Sequence, residues 1–252
     1  MKIGAQLYTV RDFTQTAADF ANTIKKVADM GYTCVQVSGI GGGITPQEVA
    51  DICKANNVEI VITHTPQNRI VNDTKQVIAD HALMGAKYIG LGAMPWDKGG
   101  SKAGYESFVK ELAPAAKDIK EAGFQFMYHN HAFEYLRFDG ETGMDYLAHH
   151  LPDAGFTLDT FWVQAGGADP AWQLKKLAGR VDVIHLKDFV IVDNERRMAV
   201  VMEGNLNWDA IFAAAKEAGV KYAMVEQDDC YGRDPFECLH TSLQNLKKYG
   251  IA

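Results

Sequence analysis

The sequence predicts a single α/β domain, residues 1–252, folded as a (β/α)8 barrel, and three observations carry that prediction. Short runs of strand-forming residues alternate with amphipathic helical segments from one end to the other, giving eight of each. A strand and its helix average about 31 residues, the size of one βα unit in a barrel of roughly 250. Polar residues that interrupt apolar runs gather at the C-terminal ends of several strands, where such barrels carry their chemistry. No internal stretch reads as a linker. A doubly wound open sheet is the structural alternative, because a repeat count does not show closure.

In order, the first strand is Lys2 to Leu7, followed by a helix from about Thr14 to Met30 whose apolar stripe is Phe20, Ile24 and Val27; Gly31 supplies the stop. Cys34 to Val37 is the second strand. After it a glycine run leads to Thr45-Pro46-Gln47-Glu48, a helix start with Thr as N-cap and Pro at the first helical position. Those glycines do not sit directly between strand and helix as a dinucleotide fingerprint requires. Glu59 to Thr63 is the third strand, ending at His64. A helix from about Asp73 to Met84 and a fourth strand, Lys87 to Leu91, follow. Gly92 to Gly104 is a loop long enough to be functional. The next helix, about Tyr105 to Ala122, is expected to kink or break at Pro114. The fifth strand runs from Phe124 to His131. Then come a helix at Met144 to His150, a sixth strand at Phe156 to Asp159 and a helix from Pro170 to Leu177 capped by Asp169. Val181 to Lys187 is the seventh strand. Asp188 to Asn205 reads as irregular, with a small hairpin at Arg196 to Val201, before a helix from Trp208 to Ala218. Tyr222 to Glu226 is the eighth strand, and the last helix is Pro235 to Tyr249.

Composition narrows the function classes. Net charge is −7, and Lys and Arg are scattered, which argues against nucleic acid as a partner. Cys34, Cys53, Cys230 and Cys238 form no CxxC pair and read as reduced thiols. With no basic leader and no run of about 18 apolar residues, the expectation is a cytoplasmic protein without membrane contact. The acidic surface and apolar helix faces suit a monomer or a homo-oligomer.

The chemistry is concentrated at the strand ends. The fifth strand ends in His129, His131 and Glu134, the sixth in Asp159, the seventh in His185, Lys187 and Asp188, the eighth in Glu226, and the third in His64. Singly, each has a bland account: a packed imidazole, a helix cap, the edge of a solvated loop. At one rim of one barrel they would bring several carboxylates together, which a cation or a proton must compensate. A divalent metal does this, and oxygen-rich ligation with one imidazole suits Mn2+, Mg2+ or Co2+ better than a thiolate-bound zinc, with Zn2+ also admissible.

These residues resemble the xylose isomerase-like TIM barrel superfamily, the sugar phosphate isomerases/epimerases that include inosose dehydratases, ketose 3-epimerases and hydroxypyruvate isomerases. The resemblance spans the chain and rests on Gln6-Leu7-Tyr8-Thr9-Val10-Arg11-Asp12, Tyr128-His129-Asn130-His131 through Glu134, Leu158-Asp159-Thr160-Phe161-Trp162, His185-Leu186-Lys187-Asp188-Phe189 and Val225-Glu226-Gln227-Asp228. It implies one divalent metal, most often Mn2+, held by Asp159, His185, Glu226 and a fourth ligand at the fifth strand. There His129 stands where relatives often carry Glu, so the fourth ligand is Glu134 returning from the loop or His129 itself. Glu134 is preferred because three carboxylates preserve the usual charge. Trp162 replaces a histidine of many relatives, and Gln36 replaces a glutamate, so a substrate contact there would be neutral. AP endonucleases share the superfamily, but their trinuclear zinc sites need more ligands and a basic face that this chain lacks.

Such a site abstracts a proton next to a carbonyl of a sugar or cyclitol, through an enediolate. The expected groups are His131, Lys187, His129 and Glu226 for acid/base work, with His64, Arg11, Tyr8, Trp96 and Trp162 contacting substrate. Reprotonation gives isomerisation or epimerisation; loss of a β-leaving group gives dehydratase or lyase action on an inosose or 3-keto-glycoside. A non-catalytic carbohydrate-binding barrel is the reading from another class.

Overall fold

Eight parallel strands close on themselves in the computed structural model, which describes residues 1–251. In chain order the elements are β1 (Lys2–Gln6), α1 (Ala17–Met30), β2 (Cys34–Val37), α2 (Pro46–Ala55), β3 (Glu59–Thr63), α3 (Gln67–Asn72), α4 (Thr74–Met84), β4 (Tyr88–Leu91), α5 (Lys102–Glu121) and β5 (Gln125–His129). They continue with β6 (Arg137–Phe138), β7 (Glu141–Thr142), α6 (Gly143–His150), β8 (Ala154–Asp159), α7 (Thr160–Ala165), α8 (Pro170–Lys176), β9 (Val183–Leu186), β10 (Asp188–Val192), β11 (Glu195–Ala199), α9 (Trp208–Ala218), β12 (Tyr222–Val225) and α10 (Pro235–Tyr249). The barrel order is β1-β12-β9-β8-β5-β4-β3-β2, so closure falls between β1 and β12 and between β1 and β2. The doubly wound alternative is thereby excluded.

Alternation along each strand divides the apolar residues into two cores. One lies between strands and helices; the other, Cys34, Ile62, Tyr88, Met127, Val183, Tyr222 and Met224 among its members, fills the barrel interior. Glycines make room for the sulfur there: a Cβ on Gly4 would stand 2.6 Å from Met224 Sδ, and one on Gly155 2.5 Å from Met127 Sδ. The N-terminal mouth is closed by charge. Glu59 receives Lys2 Nζ at 2.7 Å and Lys87 Nζ at 2.8 Å, while Asp182 accepts from Tyr88 Oη at 2.9 Å and pairs with Lys221 at 2.8 Å.

Several elements differ from expectation. The fifth strand stops at His129, two residues early, because the chain turns into a 3-10 turn at Phe133–Tyr135. Helix α5 runs unbroken through Pro114 and starts earlier, at Lys102, where Ser101 accepts from Gly104 N. The hairpin expected at Arg196 to Val201 is instead the pair β10 and β11. Its turn residues Asp193 and Asn194 both have positive φ, 53° and 62°, which suits a tight hairpin turn. Helix α7 is additional to the expected elements; Asp159 caps it by accepting from Trp162 N at 2.9 Å. All four cysteines are free, and no described helix is long and apolar enough to cross a membrane.

Candidate active site

Four neighbouring strands deliver four side chains to the C-terminal rim. His129 ends β5, Asp159 ends β8, His185 lies in β9 and Glu226 follows β12. Strand register sets Asp159 beside His185, while His129 pairs with Thr157, two residues before Asp159, and Glu226 follows two residues after Met224, the partner of His185. One donor atom from each lies within 4.8 Å of the others, and none of the four is more than 3% exposed.

The two imidazoles are oriented by oxygen acceptors. His129 Nδ1 is 2.7 Å from Gly92 O, and a carbonyl oxygen only accepts, so Nδ1 carries the proton and Nε2 presents its lone pair to Asp159 Oδ2 at 3.3 Å. His185 repeats the device. Its Nε2 donates to Gln36 Oε1 at 2.7 Å, which leaves Nδ1 facing Glu226 Oε2 at 2.8 Å and Asp159 Oδ2 at 3.6 Å. Although His185 Nδ1 and Glu226 Oε2 approach closely, they are not aligned as a hydrogen bond, and both are buried atoms without a hydrogen-bond partner. Lone pairs and carboxylate oxygens facing one another need a cation or proton among them. The Asp159–Glu226–His129–His185 set therefore fits a divalent metal ion, with the non-ligating nitrogens fixed as metal-bound histidines require.

Lys187 lies against the same group, its Nζ 3.1 Å from Asp159 Oδ2, 2.9 Å from Glu226 Oε2 and 2.9 Å from Asp228 Oδ1. Three carboxylates and one ammonium leave a charge of −2, which one divalent ion balances. Burial alone would raise the Asp159 and Glu226 carboxyls, but the Lys187 ammonium and the neighbouring imidazoles hold both well below the usual range. Burial likewise would lower His185, yet the Glu226 and Asp159 charges lift it to about 9, so a metal would compete there with a proton. Asp228 is raised to about 6 by burial and the Glu226 charge.

Glu134 is not brought into the group. Tyr128 points to the helix side of the sheet, against Phe108 and Phe156, and Glu134 folds back to that side. Its Oε1 accepts from Tyr128 Oη and its Oε2 from His131 N at 2.8 Å; burial lifts its carboxyl to about 7. The third carboxylate of the charge count is Asp228. His131 is close, its ring 4.9 Å from that of His129 and 5.1 Å from Trp162, and burial followed by the His129 and Lys187 charges pushes it down to about 3. His64 packs on His129 and His185 and contacts Ser38 Oγ at 3.2 Å. Lys187 Nζ lies 5.6 Å from the centre of Trp162. Arg11 stacks on Tyr8 at 4.4 Å and donates to Asp228 O, which places both at the β1–β12 side of the rim; Trp96 stands opposite, beyond β4. Gln36, expected as a neutral substrate contact, and Gln6, given no role of its own, are instead supports of the group. Gln36 orients His185, and Gln6 Nε2 donates to Glu226 Oε1 at 2.8 Å. Both glutamines are fully buried, and the sequence signal for them is an amide inside an apolar strand.

With this geometry the chain also matches the family model described as xylose isomerase-like TIM barrel, over residues 24–248. The chain belongs to the xylose isomerase-like TIM barrel family. Solved structures similar to this family member include a sugar phosphate isomerase/epimerase from Parabacteroides distasonis, at TM-score 0.83 and 22% identity, covering 99% of this chain and 94% of that one. An L-ribulose 3-epimerase gives 0.74 and 14%, over 100% and 95%. A probable 3-DHS dehydratase from Bacillus anthracis gives 0.74 and 14%, over 98% and 99%. At these identities the likeness is one of fold. No curated protein sequence matches the chain.

Proposed function

We propose that the protein is a divalent-metal-dependent sugar isomerase/epimerase that moves a proton next to the carbonyl of a ketose or keto-sugar. The observation that carries this reading is the convergence of two imidazole lone pairs and two carboxylates, all buried, at the rim of the barrel. His129, Asp159, His185 and Glu226 hold the metal, with His129 taking the place expected of Glu134. Two nitrogens and two oxygens admit Mn2+, Co2+ and Zn2+ ahead of Mg2+, and the second imidazole weakens the case for Mn2+ over Co2+ or Zn2+. When bound, the ion supplies Lewis-acid polarisation of neighbouring ketone and hydroxyl oxygens.

The chain's own groups divide the remaining work. Glu226 accepts from Gln6 through Oε1 and turns Oε2 towards His185 and Lys187, so it holds the metal and does not shuttle. His131 is placed to take and return the proton by geometry, its buried Nδ1 without a partner and its ring 4.9 Å from that of His129; burial and the neighbouring charges weaken it as a base, so the role requires substrate and metal to lift it. Lys187, whose ammonium is held by the carboxylates around it despite burial, keeps its charge and stabilises negative charge developing on a substrate oxygen. Trp162, His64 and the rings around them exclude water from that exchange. The names of the epimerase and isomerase relatives agree with this reading.

The test is to incubate the Mn2+-loaded protein in deuterated water with ketoses, 3-keto-glycosides and inososes and to follow exchange by NMR. Deuterium is expected at the carbon beside the carbonyl of at least one class; no exchange with any of them overturns the proposal. Asp159→Asn and Glu226→Gln are expected to lose Mn2+ while keeping the circular dichroism of the barrel, and full occupancy in both would sink the ligand assignment.

A further inference from the structure

Beyond the cluster, the segment after β4 turns Trp96 outward with 70% of its surface exposed, the most exposed large apolar side chain of the described residues. Its indole meets His131 edge-on at 5.4 Å and Phe133 at 5.0 Å. His131 stacks on Phe133 within 7° of parallel and stands 4.9 Å from the ligand His129. Aromatic rings thus run without a gap from the centre of the site to solvent. Beside Trp96 lies a trough of about 400 Å3, within the range of small-molecule sites, floored by Leu91, Met94, Pro95 and Pro66 and reaching inward to His64. His64 in turn packs on His129 and His185, and its Nε2 is buried without a partner.

No Arg or Lys lines the trough, whose polar side chains are those of His64, Thr65 and Gln67. Anion sites in proteins are made by unpaired Arg or Lys, or by donors massed at a long helix start. The cations nearest to its lining along the chain are committed elsewhere, Lys98 to Glu111 at 2.5 Å and Arg69 to Asp80 at 2.9 Å. Flat apolar rings suit the opposite class of ligand, a second ring with an apolar face.

We propose that the Trp96 trough is an outer subsite for a ring aglycone, so that the substrate is a keto-sugar joined to an aryl or similarly apolar ring and not a sugar phosphate. This rests on the cluster being the reaction centre, and it names what the centre works on. The sugar carbonyl lies at the metal ligands and the aglycone lies against Trp96.

Binding tests this without turnover. Phenyl β-D-glucopyranoside, methyl β-D-glucopyranoside and glucose 6-phosphate carry no ketone, so calorimetric titration into the Mn2+-loaded protein reads affinity alone. The phenyl glucoside is expected to bind about ten-fold more tightly than the methyl glucoside, with glucose 6-phosphate no tighter than the latter, and Trp96→Ala is expected to bring the phenyl-to-methyl ratio to about one. Equal affinity for both glucosides, tighter binding of the phosphate, an unchanged ratio in Trp96→Ala, or no measurable binding of the phenyl glucoside would each overturn the subsite. Deuterium exchange separates the two readings: exchange with keto-sugars but no phenyl preference removes the subsite alone, and a phenyl preference without any exchange removes the reaction alone.

Discussion

His185 presents Nδ1 to the cluster because Gln36 accepts from Nε2, and the tautomer depends on that one buried oxygen. Gln36→Leu keeps the volume and removes the acceptor. Mn2+ affinity is expected to fall about 10- to 100-fold, the usual cost of losing such a support, with the melting temperature little changed; titration followed by electron paramagnetic resonance reads it. Glu134 makes a pH-dependent prediction. Its folded carboxyl titrates near 7, above its unfolded value, because burial favours the neutral form. The folded protein then binds more protons than the unfolded chain between those values, so this group's contribution falls as pH rises through about 7. Glu134→Gln removes the ionisation while still able to accept from His131 N. Its melting temperature relative to wild type is expected to rise from pH 5 to pH 8, and a difference independent of pH would show that Glu134 does not titrate there. Asp159, His185 and Glu226 were legible in the sequence because each ends a strand in a polar residue. The choice between His129 and Glu134 was not, since it depends on a 3-10 turn and on which side of the sheet Tyr128 lies.

Asp188 organises the element that follows β9. It is fully buried, and it accepts from the backbone of Phe189, Met202 and Gly204 and from Trp208 Nε1 at 2.7 to 3.0 Å, which ties the long crossing from β9 to α9 to a single carboxylate. Gly204 approaches so closely that a Cβ there would lie 2.4 Å from Asp188 Oδ1. Asp188→Asn replaces one acceptor oxygen by a donor facing donors, so the segment from Met202 to Leu206 is expected to exchange its amides at least ten-fold faster, with the barrel strands still protected. Uniform protection along the chain would refute the role. In the sequence this carboxylate stood among the chemical residues of His185-Leu186-Lys187-Asp188, because side-chain direction reverses at each step of a strand and one residue separates a site group from a structural one. The β10–β11 hairpin was misplaced for a related reason: Asp193-Asn194 is a turn signal without the glycine that usually marks it.

Across the whole molecule, the two mouths of the barrel divide stability from chemistry. Glu59, at the N-terminal mouth, joins Lys2 and Lys87 and lies at the opposite end of the strands from the cluster. Glu59→Gln is expected to cost about 1 kcal/mol, a few degrees of melting temperature, without altering Mn2+ affinity. The barrel itself was the most legible feature, since eight repeated βα units leave few other ways to bury eight apolar strands; the short helices α3 and α7 were not, because six residues make fewer than two turns and show no periodicity. Between the mouths, Gly4 and Gly155 admit the thioethers of Met224 and Met127, with the Cys34 thiol beside them. An axis of sulfur sealed from solvent is also a chemical recorder. Peroxide reaches those atoms only when the strands part, and a sulfoxide, once formed, no longer fits among apolar neighbours. Under mild peroxide, mass spectrometry is expected to find Met1 oxidised at once and Met127 and Met224 spared until the whole barrel opens, so their oxidation would count, molecule by molecule, how often it has done so.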